Sequence, residues 1–210
     1  APVIAYGQHW HVTEERGRLI YQDETGLLDL PSPNLRGPHQ FSNAGMAIAA
    51  LRHLGFGETA CEAAVTRAFW PARMQRLTKG PLIEAAPDAE LWLDGGHNPA
   101  AGAALAETLA ELPPRPTHAI CGMLSTKDVT GYMRQLVSAV NDLYAVAIPG
   151  ETATLPAEET AKAATKVGLQ AHVASSVEDA LRSIVAADPT ARVLICGSLY
   201  LAGAVLREND

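Results

Sequence analysis

The sequence predicts an α/β fold whose second part is a doubly wound, mostly parallel sheet, and three observations carry that expectation. After Pro71-Ala72-Arg73-Met74-Gln75-Arg76, five apolar strand-like runs alternate with five helical runs, the pattern of parallel strands joined by crossover helices. The stretch Glu90-Leu91-Trp92-Leu93-Asp94-Gly95-Gly96-His97-Asn98-Pro99 ends an apolar run in an acid, turns on two glycines and opens a helix. Residues 1–40 read differently, as short strands separated by turn signals at Glu15-Arg16-Gly17 and Asp23-Glu24-Thr25-Gly26.

In chain order, residues 3–10, 18–22 and 26–30 read as strands of a meander. His9 and His11, two apart, would share a strand face. With no third ligand in sight, a solvated or packed pair fits them better than a metal. A helix over 44–54 follows, capped by Ser42 or Asn43, with Met46, Ile48, Ala49 and Leu51 as its buried stripe. A second helix over 58–69 repeats Cys61, Val65 and Phe69 every fourth residue.

The alternating part places strands at 91–94, 119–123, 143–148, 171–174 and 193–196, and helices at 99–112, 129–140, 156–167, 176–187 and 198–207. Sheets of this kind bind ligands beyond the carboxyl ends of their strands. Those ends carry Asp94 to His97, the run from Cys121 to Asp128, and Cys196-Gly197-Ser198. Asn98 is suited to cap the helix that Pro99 opens, and the resulting positive helix end favours an anion. Each candidate has a plainer reading as well. Asp94 or His97 can satisfy the turn, Ser198 can cap a helix, and Lys127-Asp128 can be a solvated pair.

The chain has 210 residues, 48% hydrophobic and 19% charged, with a formal net charge of -7. An acidic surface disfavours nucleic acid or an anionic membrane as partner and fits small-molecule chemistry. No apolar run reaches membrane-span length, and residues 1–20 show no basic stretch followed by an apolar core. Cys61, Cys121 and Cys196 match no disulfide framework or zinc spacing, which suits a reducing cytoplasm. Neither Gly-x-x-x-x-Gly-Lys-Ser/Thr nor Gly-x-Gly-x-x-Gly is present, so neither standard phosphate-cradling loop is available. The opening Pro2-Val3-Ile4-Ala5-Tyr6 reads as an interior strand, the expectation being a piece of a longer protein.

Five motifs in order carry a resemblance. They are Leu35-Arg36-Gly37-Pro38-His39-Gln40 with Asn43-Ala44, Trp70-Pro71-Ala72-Arg73-Met74-Gln75, Asp94-Gly95-Gly96-His97-Asn98-Pro99, Lys127-Asp128, and Gly197-Ser198-Leu199-Tyr200. Together they resemble the bacterial folylpolyglutamate synthase/dihydrofolate synthase family of the Mur ligase superfamily.

The resemblance implies that residues 1–69 are the tail of a central ATPase domain and 70–210 a Rossmann-like C-terminal domain. It further implies a preceding region holding the phosphate loop, the Mg2+ ligands and most of the pterin pocket. The implied reaction is ATP-dependent: a carboxylate of dihydropteroate or of a folate glutamate tail becomes an acyl phosphate, which the amine of L-glutamate attacks. By the same resemblance, Asn43, Arg73 and Asp94 contact ATP, while His97, Ser198 and Lys127 face the glutamate or the phosphate, His97 with a catalytic role. No metal ligand falls in this chain, and a monomer acting on small molecules is expected. Another Mur-type amino-acid ligase, or a non-catalytic nucleotide or amino-acid binding module, are the alternatives. Two departures stand out. Ala72 replaces a usual glycine, which strains the backbone if that position needs a positive φ, and the segment between Arg73 and Asp94 is long.

Overall fold

The computed structural model describes residues 3–209. The chain forms two compact units divided between Trp70 and Pro71.

The first unit is an antiparallel meander of β1 (Trp10–Glu15), β2 (Arg18–Asp23) and β3 (Gly26–Pro31), followed by α1 (His39–His53) and α2 (Glu58–Thr66). Arg16 and Gly17, with φ of 54° and 75°, make the two-residue turn that pairs Glu15 with Arg18. Alternate residues Trp10, Val12, Leu19, Tyr21, Leu28 and Leu30 point inward onto Ile48, Ala49, Cys61 and Val65. Gly45 lets α1 approach the sheet, since a Cβ there would lie 2.7 Å from the Trp10 ring.

Three expectations fail in this unit. Residues 3–10 are not a strand: the Ala5 N–H donates to His9 Nδ1 at 2.9 Å and the Gly7 N–H to the Trp10 carbonyl, so the chain turns before β1 begins. His9 therefore lies in that turn and shares no strand face with His11. The first helix begins at His39, with Pro38 at its cap position, so Ser42 and Asn43 lie inside it and Met46 is exposed. The second helix stops at Thr66, whose hydroxyl donates back to the Glu62 carbonyl, and Phe69 is 71% exposed rather than core.

The second unit is a six-stranded sheet between two layers of helices. Its elements are β4 (Gln75–Arg76), α3 (Pro81–Ala85), β5 (Glu90–Leu93), α4 (Pro99–Ala110), β6 (Thr117–Cys121), α5 (Val129–Leu136), β7 (Asp142–Ala145), α6 (Ala157–Lys166), β8 (Gln170–Val173), α7 (Val177–Ala187), β9 (Arg192–Cys196) and α8 (Leu199–Glu208). The strand order is β4-β5-β9-β6-β7-β8, parallel except for β4. All five expected strands and helices form, with shifted ends. β4 and α3 arise in the long segment between Arg73 and Asp94 and were not expected.

Both faces of the central strands are apolar, and this is why they read as continuous hydrophobic runs. Trp92, Ala119, Cys121, Leu194 and Cys196 pack on α4, α5 and α6. Leu91, Leu93, Ile120, Val193 and Ile195 pack on α3, α7 and α8. At the amino ends of β5 and β9, Glu90 accepts from Arg192, which is 2% exposed, and also pairs with Arg76 and Arg115. Among the described residues no helix is long and apolar enough to cross a membrane.

Candidate functional site

The chemistry-bearing residues of the second unit gather at the carboxyl edge of its sheet. β5 runs into Asp94, whose N–H still donates to the Ile195 carbonyl of β9. Its carboxylate is 5% exposed and accepts two backbone donors: Gly96 N–H to Oδ1 and Met74 N–H to Oδ2, each at 2.7 Å. Asp94 thus closes its own turn and also holds the segment that leads into β4.

That segment presents Arg73. Ala72 and Met74 on either side of it are buried, with φ of 54° and 41°. The positive φ at Ala72 is the strain that replacing a glycine would bring. The Ala72 N–H donates to Gln75 Oε1 at 2.9 Å, and its carbonyl accepts from the Gly95 N–H. Arg73 itself is exposed and makes no ion pair or hydrogen bond among the described residues.

Beyond the turn, His97 Nδ1 lies 3.0 Å from the Gly95 carbonyl. Since a carbonyl only accepts, Nδ1 is the donor in this contact. Asn98 caps α4 by accepting from the Ala101 N–H at 2.9 Å, and Pro99 occupies the first helical position.

Ser198 plays the corresponding part for α8. Its Oγ accepts from the Tyr200 N–H at 3.0 Å, and the residue is 2% exposed. A Cβ on Gly95 would collide with the Leu199 side chain, and one on Gly197 would sit 2.7 Å from the Gly122 carbonyl. The loops after β5, β9 and β6 therefore touch. Lys127 is half-buried on the last of these, just before Asp128, which caps α5 by accepting from the Gly131 N–H. Lys127 and Asp128 form no ion pair with each other.

The thiols beneath these loops, Cys121 and Cys196, are free and buried. The contact with Cys196, and then burial, push the Cys121 thiol well above its ordinary range. Burial does the same to the Tyr132 phenol beside them. Among the described residues no three His, Cys, Asp or Glu side chains converge as a metal cage.

The structure thus brings Arg73, Asp94, His97 and Ser198 to one sheet edge, with Lys127 on the adjoining loop. Asn43 belongs to the first unit, on α1, where its amide donates to Gln40 Oε1 at 3.0 Å. Sequence reading missed Gln75. It stands inside the quoted Trp70 to Gln75 motif, and that membership was the available signal.

Residues 72–199 match the family described as Mur ligase, glutamate ligase domain. The chain belongs to this family. Among Mur ligase relatives, folylpolyglutamate synthase of Lacticaseibacillus casei is 29% identical over 195 residues, covering 90% of this chain and 42% of its own length. The structure of Escherichia coli FolC in complex with DHPP and ADP superposes with a TM-score of 0.79 at 28% identity, covering 96% of this chain and 46% of that one. A bifunctional folylpolyglutamate synthase/dihydrofolate synthase solved with Mn, AMPPNP and L-glutamate gives a TM-score of 0.74 at 25% identity, covering 96% and 46%. The chain spans about half the length of these Mur ligase relatives.

Proposed function

We propose that the chain is the C-terminal portion of an ATP-dependent ligase that adds L-glutamate to dihydropteroate, tetrahydrofolate or both through an acyl phosphate. The observation that carries this is the braced turn offering Arg73, an exposed guanidinium without a partner among the described residues, beside Asp94 at the sheet edge where this fold binds ligands. It agrees with the nucleotides bound by the relatives above.

In this reading Arg73 meets the ATP phosphates, for which a planar, permanently charged fork is suited. Asp94 takes a ribose hydroxyl in the same reading. Asn43, in the first unit, is by the same resemblance a nucleotide-binding residue of the ATPase domain. In the same reading His97 receives a proton as the glutamate amine attacks, and Lys127 and the α8 start at Ser198 face its carboxylates or the phosphate. The resemblance puts the Mg2+ ligands mostly in the rest of the enzyme, and no step is assigned to the ion here. The three free, buried cysteines suit a cytoplasmic enzyme.

Steady-state kinetics of the intact enzyme test the reading. Arg73→Ala and Asp94→Ala are each expected to raise KM for ATP or lower kcat, by about 100-fold at Arg73. Unchanged kinetics in both would sink it. The 210-residue chain alone is expected to show no turnover and little heat on titration with ATP; tight binding there would favour a stand-alone binding module.

A further inference from the structure

The turn that presents Arg73 departs from relaxed backbone on both sides of that residue, because Ala72 and Met74 each carry a Cβ at positive φ. Such a conformation persists only where surroundings over-determine it. Two side chains do so here. Asp94 holds the Met74 N–H, and Gln75 Oε1 holds the Ala72 N–H at 2.9 Å. Both Asp94 oxygens already accept backbone donors, which leaves the tie at Ala72 to Gln75. Gln75 is itself anchored, since its backbone pairs with Leu93 in the antiparallel register of β4 with β5.

We propose that Gln75 is a positioning residue. By accepting the Ala72 N–H it fixes the left-handed turn, and so the point and direction at which Arg73 leaves the backbone toward the phosphates. Gln75 touches no substrate in this scheme and acts only through Arg73, so the proposal rests on the ligase reading above. A hydrophobic residue at 75 would leave a buried N–H without an acceptor and let the turn relax toward ordinary dihedrals, withdrawing the guanidinium. Small misplacements of a charge-stabilising group are costly to rate.

The test is a double-mutant cycle in the intact enzyme, with ATP-dependent glutamate addition as readout. Gln75→Leu is expected to lower kcat/KM for ATP by about tenfold or more while KM for glutamate stays within about twofold. Gln75→Glu, which keeps an acceptor oxygen, should return to within about threefold of the parent. In the Arg73→Ala background Gln75→Leu should cost nothing further, because the group it positions is gone. If Gln75→Leu does not fold, Gln75→Asn withdraws the oxygen while remaining polar, and the same tenfold loss is expected. Full additivity with Arg73→Ala, or parental kinetics in Gln75→Leu beside an impaired Arg73→Ala, overturns the proposal alone. Parental kinetics in Arg73→Ala overturn the ligase role of Arg73 and the proposal with it.

Discussion

The Asp94 carboxylate accepts the backbone N–H of Met74 at 2.7 Å across twenty residues of chain, joining the entry of β4 to the exit of β5. With Gly96 N–H on its other oxygen, this one buried side chain satisfies two backbone donors. Replacing it by alanine strands both, and an unmet buried donor costs about 1–3 kcal/mol. Asp94→Ala is expected to lose about 3 kcal/mol in urea unfolding of the second unit, and Asp94→Asn, with one acceptor oxygen left, roughly half of that. A kinetic defect in Asp94→Ala therefore has to be read at a temperature where the variant remains folded.

Ala72 separates strain from burial. Glycine there would relieve about 1 kcal/mol of left-handed strain but forfeit a buried methyl worth about 0.8 kcal/mol, so Ala72→Gly should stay near the parent stability. Ala72→Val adds a branched side chain at a φ of 54° and should lose about 2 kcal/mol or more, measured by thermal denaturation.

The first unit holds its own titratable pair. Burial raises the Asp23 carboxyl, but the Thr25 hydroxyl and N–H, then Arg52 at 2.9 Å, outweigh it and hold Asp23 below the usual carboxylate range. Its contribution is present above the ordinary carboxylate range and lost as pH falls through the lowered value. Asp23→Asn should flatten that acid limb of the stability curve. Tyr21, pushed up to about 12 mainly by burial and then by Asp23, has the opposite sign. Its share is full below the ordinary phenol value and fades as pH rises toward 12, which the phenolate absorbance at alkaline pH would follow.

At the other end of the sheet, Glu90 is the counter-charge for the buried Arg192, whose guanidinium burial and then Arg115 disfavour. Glu90→Gln leaves Arg192 without an anion and should cost about 3–5 kcal/mol in chemical denaturation. Arg115→Ala, which removes an exposed cation 3.6 Å from Glu90, should change stability by less than about 1 kcal/mol.

The central strands were legible because both of their faces are buried, so β5, β6 and β9 appear as unbroken apolar runs bounded by glycine. The caps Asn98 and Ser198 were legible because a cap acts on residues two or three positions away. What escaped was carried by contacts with no local pattern. β4 is two polar residues with no period of their own, and α3 is too short to show one. Residues 3–10 have strand-like composition, yet one imidazole accepting from the Ala5 N–H turns them. At the site, Asp94 stood out by its place at a strand end. Its grip on Met74, and the grip of Gln75 on Ala72, needed the two chain segments side by side.

The position of β9 bears on how the protein is made. It lies between β5 and β6, pairing Arg192 with Glu90 on one side and with Thr117 on the other. The middle of the sheet is thus the last strand synthesised. Until residues 192–196 leave the ribosome, β5 and β6 have no shared neighbour, and the apolar faces of both stay open to other chains. Such long-range parallel pairing is slow and exposed to aggregation. A ribosome stalled shortly before residue 192 should hold a nascent second unit that chaperones still bind and proteases still cut. Release of β9 and α8 would end both.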